Sequence, residues 1–114
     1  NVAGETSKTG IACHQVAALA EPLEALANLR VCGLMTMAPR VPDPEQARPY
    51  FARLRELLAS LRSGGAVSAD CRHLSMGMSG DYSVAVEEGA TLVRIGSALF
   101  EGLEAYDRQP ERAR

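Results

Sequence analysis

The sequence predicts an α/β fold in which parallel strands alternate with helices. Three short, almost continuous apolar runs, at residues 31–37, 73–78 and 91–96, are typical of strands that are buried on both faces. The segments between them carry apolar residues at every third or fourth position, which is the pattern of an amphipathic helix. Such βαβ units build either a (β/α)₈ barrel or a doubly wound sheet. A closed barrel takes about 250 residues, so this chain supplies about half of one.

The composition is that of an ordinary globular domain. Of the 114 residues 46% are hydrophobic, and 12 Lys and Arg oppose 14 Asp and Glu. The near-neutral balance gives no indication of binding to nucleic acid or to an anionic membrane. No apolar stretch reaches the roughly 20 residues of a membrane span, and the first residues are not a signal peptide. The cysteines are odd in number and lack CxxC spacing, which indicates free thiols, so we expect a cytoplasmic protein.

The first predicted elements are a strand remnant and a helix. Residues 1–4 have the character of the end of a strand, and because no initiator Met precedes them we expect the chain to be a fragment. The helix is indicated by apolar residues at helical spacing, namely Val16, Leu19, Leu23 and Leu26. Pro22 interrupts this pattern. Since proline is tolerated at the first position of a helix, we expect Pro22 to open a second helical stretch.

A long helix is predicted between the first and second apolar runs. The members of its apolar stripe are Ala47, Phe51, Leu54, Leu58 and Leu61. Before it, residues 43–46 (Asp-Pro-Glu-Gln) have the arrangement of an N-cap, a first-turn proline and a capping box. Pro49 lacks a backbone donor, so it either delays the start of the helix or distorts its first turns.

A shorter helix is predicted from Asp81 to Glu88. We expect Ser79 to cap it and Gly89 to end it as the left-handed residue that follows the last turn. Residues 1–104 are assigned to one partial barrel domain and residues 105–114 to a polar C-terminal tail.

The candidate site lies at the carboxyl ends of the last two strands, where ligands of parallel α/β folds bind. Arg94 carries a guanidinium fork suited to phosphate, Gly96 lets a ligand approach the backbone, and Ser97 is expected to cap the next helix. Together with residues 76–81 after the preceding strand, this has the layout of a barrel phosphate site. The alternatives are that the glycine only makes a turn, that the serine only caps a helix, and that Arg94 pairs with a carboxylate.

Several other side chains have two possible interpretations. Four methionines at alternating strand positions form either a soft pocket wall against a flat ring or part of the core: Met35, Met37, Met76 and Met78. Lys8 is not a P-loop lysine, because the glycine spacing of that motif is absent. His14 and His73 have no partners at metal-ligand spacing, so we predict no metal site.

Two motifs near the C-terminus are characteristic of one family. Residues 74–81 read Leu-Ser-Met-Gly-Met-Ser-Gly-Asp, and residues 85–100 contain Arg-Ile-Gly-Ser at 94–97. They resemble the C-terminal signature of the pyridoxal phosphate homeostasis proteins, which are single-domain relatives of the alanine racemase N-terminal barrel. Upstream, residues 1–2 and 7–11 are similar to the fifth strand and loop of this family, and residues 34–39 to its sixth strand.

The resemblance implies a barrel in which pyridoxal 5′-phosphate (PLP) forms a Schiff base with a lysine of the first strand. It also implies a protein that buffers or delivers PLP without enzymatic turnover. Ser79, Arg94, Gly96 and Ser97 would hold the phosphate, and Met76 is assigned to the same cofactor site. The lysine of the family belongs to the N-terminal half, which is absent here. Lys8 corresponds to the loop after the fifth strand.

Two alternatives to a homeostasis protein remain open at this point. A fragment of a PLP-dependent amino-acid racemase or decarboxylase would need a catalytic base on the opposite face of the cofactor ring and usually a second domain, and the sequence shows neither. A truncated product would have no cofactor function of its own. In either case the open edges of a partial sheet predict association with other strands.

Overall fold

A computed structural model describes residues 1–103 and shows a three-stranded parallel sheet whose strands lie side by side in chain order. This confirms the predicted α/β fold with a parallel sheet. The predicted tail at residues 105–114 and its boundary at residue 104 lie outside the described residues. The helices and strands are α1 (Val16–Glu24), β1 (Gly33–Met35), α2 (Arg48–Ser63), β2 (His73–Met78), α3 (Tyr82–Glu87), β3 (Leu92–Arg94) and α4 (Ser97–Phe100).

One face of the sheet packs against α2 and α3 and forms the hydrophobic core. Leu74 and Met76 of β2 point to this face, and Met76 is fully buried. Burying apolar side chains between a sheet and its helices is the main source of stability in such a layer. The predicted stripe of α2 is confirmed, since the helix buries Phe51, Leu54, Leu58 and Leu61.

The opposite face leaves apolar side chains exposed. Met35, Ser75 and Leu92 are partners across the three strands, so they form one row. Since side chains alternate between the two faces of a strand, this row lies opposite Leu74 and Met76. Met35 is 55% exposed and Leu92 is 53% exposed. A parallel sheet is usually covered on both faces, whereas the described residues leave this face of the sheet open to solvent at Met35 and Leu92.

Gly77 produces a bulge that directs the end of β2. Ser75 pairs with Leu92, whereas Met78 pairs with Arg94, so β2 has one extra residue between the two pairs. Gly77 has φ +97°, and a Cβ atom added to it would lie 2.6 Å from Cβ of Ala85. Only glycine therefore permits both the left-handed backbone and the close approach of α3.

The start of α2 follows the predicted pattern in part. The side chain of Asp43 accepts a hydrogen bond from the backbone N of Glu45 at 3.0 Å, and Pro44 begins a 3₁₀ turn at Pro44–Ala47. The α-helix starts only at Arg48, with Pro49 in its first turn. Of the two outcomes considered for Pro49, the structure has the late start, because a prolyl nitrogen needs no acceptor in the first turn.

A cluster of charged side chains fastens α3 to the start of α2. The guanidinium of Arg48 contacts the carboxylates of Glu45, Glu87 and Glu88, and Arg55 contacts Glu88 as well. The hydrogen bond from Arg48 lowers the pKa of the Glu88 carboxyl below its ordinary value, with a further contribution from Arg55. The side chain of Glu88 is only 12% exposed, so this ion pair is partly shielded from solvent.

The helix α3 ends as predicted, but its start differs. Gly89 has φ +99°, and the N–H of Ala90 donates to the carbonyl of Ala85 at 2.9 Å, as in a Schellman motif. The N-cap position is Asp81 rather than Ser79, and the Asp81 side chain makes no capping bond. Its Oδ1 instead accepts from the backbone N of Met78 at 2.7 Å.

Two expectations for the N-terminal region are wrong. Residues 1–4 form a turn and not a strand, because Gly4 has φ +69° and its N–H donates to the carbonyl of Asn1 at 3.3 Å. Pro22 does not begin a second helix but lies inside α1, where the missing N–H removes one internal hydrogen bond. Within residues 1–103 no helix is both long enough and apolar enough to cross a bilayer.

Candidate functional site

An open cleft of about 570 Å³ lies at the carboxyl ends of β2 and β3. Four of the residues predicted from the sequence line it: Ser79, Arg94, Gly96 and Ser97. The topology explains this convergence, because the carboxyl ends of parallel strands meet at the same edge of a sheet. The remaining lining residues are Met78, Gly80 and Asp81 after β2, and Ala38, Pro39, Arg40 and Val41 after β1.

Ser79 connects the two loops that form the cleft. Its Oγ accepts hydrogen bonds from the backbone N of Ala98 at 3.1 Å and, more weakly, of Gly96 at 3.4 Å. Ser79 therefore satisfies the first turn of α4 and not that of α3, which corrects the sequence prediction. The prediction that Ser97 caps α4 is also wrong, since Gly96 is the N-cap residue and Ser97 is the first helical residue. The hydroxyl of Ser97 is thereby free of a capping role.

The backbone around the cleft is open to a ligand at two glycines. A Cβ atom added to Gly80 or Gly96 would meet no other heavy atom within 4 Å. This contrasts with Gly77, where a side chain has no room. A ligand can therefore approach the main chain closely at Gly80 and Gly96. This agrees with the prediction that Gly96 lets a ligand approach the backbone.

Arg94 lies across the end of the sheet and contacts all three strands or their ends. Its Nη2 donates to the carbonyl of Thr36, just after β1, at 2.8 Å. Its Nη1 donates to Oγ of Ser75 at 2.6 Å and to the carbonyl of the same residue at 3.2 Å. All three acceptors are uncharged, and the ion pairs found within residues 1–103 do not include Arg94. The predicted alternative of a carboxylate partner for Arg94 is therefore wrong for the described residues.

A second guanidinium, which no sequence motif predicted, lies at the cleft. Arg40 is exposed and lines the cleft together with Arg94, whereas Asp81 is the one carboxylate that residues 1–103 place in the lining. The position of Arg40 after the carboxyl end of β1 was the signal that could have identified it. The net charge of the lining is positive, which favours an anionic ligand.

The methionines divide between the core and the surface. The assignment of Met76 to the cofactor site is wrong, because alternation along β2 turns its side chain into the core and away from the cleft. Met78 does line the cleft. Met35 and Met37 line a neighbouring cleft of about 390 Å³ beside Thr36 and Lys8. Lys8 thus lies at the same end of the sheet as Ser79, but in a separate cleft.

Other candidate groups have ordinary structural surroundings. His73 Nδ1 lies 3.2 Å from Oγ1 of Thr91, which fits the interpretation of a packing histidine. Among residues 1–103, no three His, Cys, Asp or Glu side chains are grouped closely enough to hold a metal ion.

Comparison with known proteins now gives the family. The family model described as "Alanine racemase, N-terminal domain" matches residues 2–104. The chain belongs to this family. Within it, the chain is 49% identical over 100 residues to the pyridoxal phosphate homeostasis protein of Aquifex aeolicus, and 40% identical over 112 residues to that of Homo sapiens. These alignments cover 88% and 96% of this chain but only 43% and 40% of the relatives. The resemblance to the pyridoxal phosphate homeostasis proteins is confirmed.

Solved structures agree with this assignment. The crystal structure of an unknown protein from Bifidobacterium adolescentis superimposes with a TM-score of 0.76 at 37% identity, covering 85% of this chain and 39% of that one. PipY of Synechococcus elongatus with PLP bound superimposes with a TM-score of 0.73 at 33% identity, covering 82% of this chain and 44% of its own. The chain therefore spans about two fifths of the length of the family members that it matches.

Proposed function

We propose that this chain binds PLP by its phosphate and takes part in PLP homeostasis as a cofactor-binding protein, without catalytic turnover. The observation that carries this proposal is the half-buried guanidinium of Arg94, whose hydrogen bonds within residues 1–103 go only to uncharged acceptors. Removing a cation from water without a counter-charge is costly, so such a group is usually completed by an anion. The names of the relatives and the PLP bound to PipY support PLP as that anion.

The residues at the cleft fit a phosphate ester. Ser79 and Ser97 provide hydroxyl groups that can donate hydrogen bonds to the phosphate, and the open backbone at Gly96 lets the phosphate approach the main chain. Arg94 supplies the positive charge. The positive charge of Arg40 adds to the attraction. We propose that these residues anchor the phosphate and leave the ring of PLP to extend along the cleft. When bound, PLP supplies an aldehyde that condenses with amines.

We further propose that the sheet is part of a (β/α)₈ barrel. The exposed row of Met35 and Leu92 supports this, because it is the face that would line the interior of a barrel. The open edges at β1 and β3 would then pair with further strands of the barrel. The fraction of the family members that the chain covers is in keeping with this assignment.

The alternative is a part of a PLP-dependent racemase or decarboxylase. The names of the curated relatives favour homeostasis over catalysis.

Three free cysteines at Cys13, Cys32 and Cys71 favour a reducing compartment, so we propose that the protein acts in the cytoplasm. The proposed partner is a small-molecule cofactor, and neither nucleic acid nor a membrane is proposed.

Titration of PLP into the chain tests the proposal. Arg94→Gln and Ser79→Ala should weaken binding, the first by about ten- to hundredfold, since a hydrogen bond to a charged group contributes about 1.5–3 kcal/mol. Arg62→Gln is the matched control, because it removes the same charge from an exposed position on α2. Pyridoxal, which lacks the phosphate, should bind weakly to all variants alike.

Three results would contradict the proposal. Equal PLP affinity in the wild-type chain and Arg94→Gln would show that Arg94 does not hold the ligand. An equal affinity for PLP and pyridoxal would show that the phosphate is not the anchor. No binding of PLP by the wild-type chain would favour a product without cofactor function.

A further inference from the structure

Ser75 has a place in the sheet that the sequence patterns did not single out. It is the middle residue of the exposed row, between Met35 of β1 and Leu92 of β3. Its neighbours Leu74 and Met76 point into the core, so its own side chain points to the opposite face, on the side of Arg94. A hydroxyl in an otherwise apolar row indicates a specific polar partner.

That partner is the guanidinium of Arg94. Oγ of Ser75 lies 2.6 Å from Nη1 of Arg94, which is the shortest of the three hydrogen bonds that Arg94 makes with the described residues. The carbonyl of Ser75 is a weaker anchor, at 3.2 Å from Nη1, because it also accepts from the backbone N of Thr36 at 3.1 Å. Within residues 1–103, the hydroxyl of Ser75 is the one side-chain group that holds the guanidinium in place; the other acceptors belong to the backbone.

We propose that Ser75 is a positioning residue of the anion site and acts through Arg94. An arginine side chain has several rotatable bonds, and fixing its planar fork in advance removes an entropic cost that binding would otherwise carry. A guanidinium has five N–H donors. The three hydrogen bonds to Ser75 and Thr36 use at most three of them. The donors that remain keep a fixed direction toward the cleft only while both ends of the fork are held. This inference rests on the proposed function, because it assigns Ser75 to the same site.

The role of Ser75 differs from those of Ser79 and Ser97. Those two serines line the cleft itself, whereas Ser75 is not among the residues that line it. Ser75→Ala should therefore weaken PLP binding without removing any group that touches the phosphate. Ser75→Thr keeps the hydroxyl, and a β-branched residue is well tolerated in a strand, so it should restore the affinity.

A double-mutant cycle with Ser75 and Arg94 tests this inference on the full chain. PLP affinity is measured for the wild type, Ser75→Ala, Arg94→Gln and the double variant, with Ser75→Thr as the conservative variant. Ser83→Ala, on the exposed side of α3, is the serine control. Loss of a charge-assisted hydrogen bond predicts a decrease of about tenfold for Ser75→Ala. In the Arg94→Gln background the same change should have no effect, because the group that Ser75 positions is then absent.

The outcomes separate this inference from the proposed function. Normal binding by Ser75→Ala together with weak binding by Arg94→Gln would overturn the role of Ser75 and leave the proposed function intact. Additive losses in the double variant would also overturn it, since Ser75 would then act independently of Arg94. Failure of Ser75→Thr to restore binding would indicate a packing role. Unchanged binding in both single variants would overturn the proposed role of Arg94, and with it that of Ser75.

Discussion

The covered face of the sheet and the carboxyl edge of the same sheet are held together in different ways. On the covered face, Met76 and Phe51 are fully buried among apolar neighbours. They stabilise the fold because their apolar surface is removed from water. At the edge, Arg94 and Ser79 make directed hydrogen bonds to residues that are far from them in the chain. The difference separates stability from binding: the first region should determine whether the chain folds, and the second whether it holds an anion.

The largest expected effect is on the covered face. Phe51→Ala should lower the free energy of unfolding by about 3–5 kcal/mol, because it removes a large buried ring and leaves a cavity. Urea denaturation, followed by circular dichroism, measures this change. The control is Val86→Ala on α3, since Val86 is 54% exposed and should change stability little. A small effect of Phe51→Ala would contradict the packing of α2 against the sheet as the source of the core.

The next effect concerns Gly77, where the two regions meet. Gly77→Ala should lower the free energy of unfolding by about 2–4 kcal/mol, because the added methyl group is strained at φ +97° and collides with Ala85. Gly80→Ala is the matched control, since a Cβ atom there meets nothing within 4 Å. Similar losses in both variants, measured by thermal unfolding, would contradict the bulge as the feature that directs the loop after β2.

A smaller effect is expected from the charged cluster, and it depends on pH. The pKa of Glu88 is lowered in the folded state. The ionised carboxylate therefore contributes stability at pH values above the ordinary pKa of 4.5. This contribution is lost as the pH falls through the lower, folded-state pKa. Glu88→Gln should therefore reduce the free energy of unfolding at pH 7 and have little effect at strongly acidic pH.

The control for Glu88 is Glu56→Gln, which removes a carboxylate from an exposed position of α2. Urea midpoints at a series of pH values measure the difference between the two variants. If Glu88→Gln destabilises the chain equally at pH 7 and under strongly acidic conditions, the ion pair with Arg48 is not the source of the pH dependence.

The smallest expected effect is covalent labelling at Lys8. Because Lys8 lines the cleft beside Thr36 and not the one that contains Ser79, PLP anchored at Ser79 should remain largely unattached to it. Borohydride reduction followed by peptide mass mapping should give substoichiometric modification at Lys8. Complete modification would show that the ligand extends across both clefts and that Lys8 is a functional amine.

The sequence predicted those features that depend on local pattern. The stripe from Phe51 to Leu61 and the left-handed Gly89 follow from periodicity and from backbone preference, and both are confirmed. The convergence of Ser79 and Arg94 also followed, because strand order alone brings the carboxyl ends of neighbouring parallel strands together.

The features that the sequence did not predict depend on contacts between distant residues. Oγ of Ser79 accepts a hydrogen bond from the backbone N of Ala98, which lies 19 residues further along the chain. Ser79 therefore satisfies the first turn of α4 and not that of α3, the helix nearest to it in sequence. Likewise, the bond between Ser75 and Arg94 is decided by register and by the bulge at Gly77, which no local pattern encodes. Arg40 was overlooked because its position after the carboxyl end of β1 was its one signal, and no ligand-binding motif accompanies it.

An NMR titration of the isotopically labelled chain with PLP tests most directly whether Ser79 and Arg94 anchor the phosphate. If Ser79 and Arg94 hold the phosphate, backbone amide shifts should change most at residues 78–81 and 94–98, the two segments that Ser79 connects. Inorganic phosphate should affect the same amides more weakly, and pyridoxal should leave them nearly unchanged. Shift changes confined to residues 7–10 and 35–37, around Lys8, would place the ligand in the other cleft and contradict the claim that Ser79 and Arg94 anchor the phosphate.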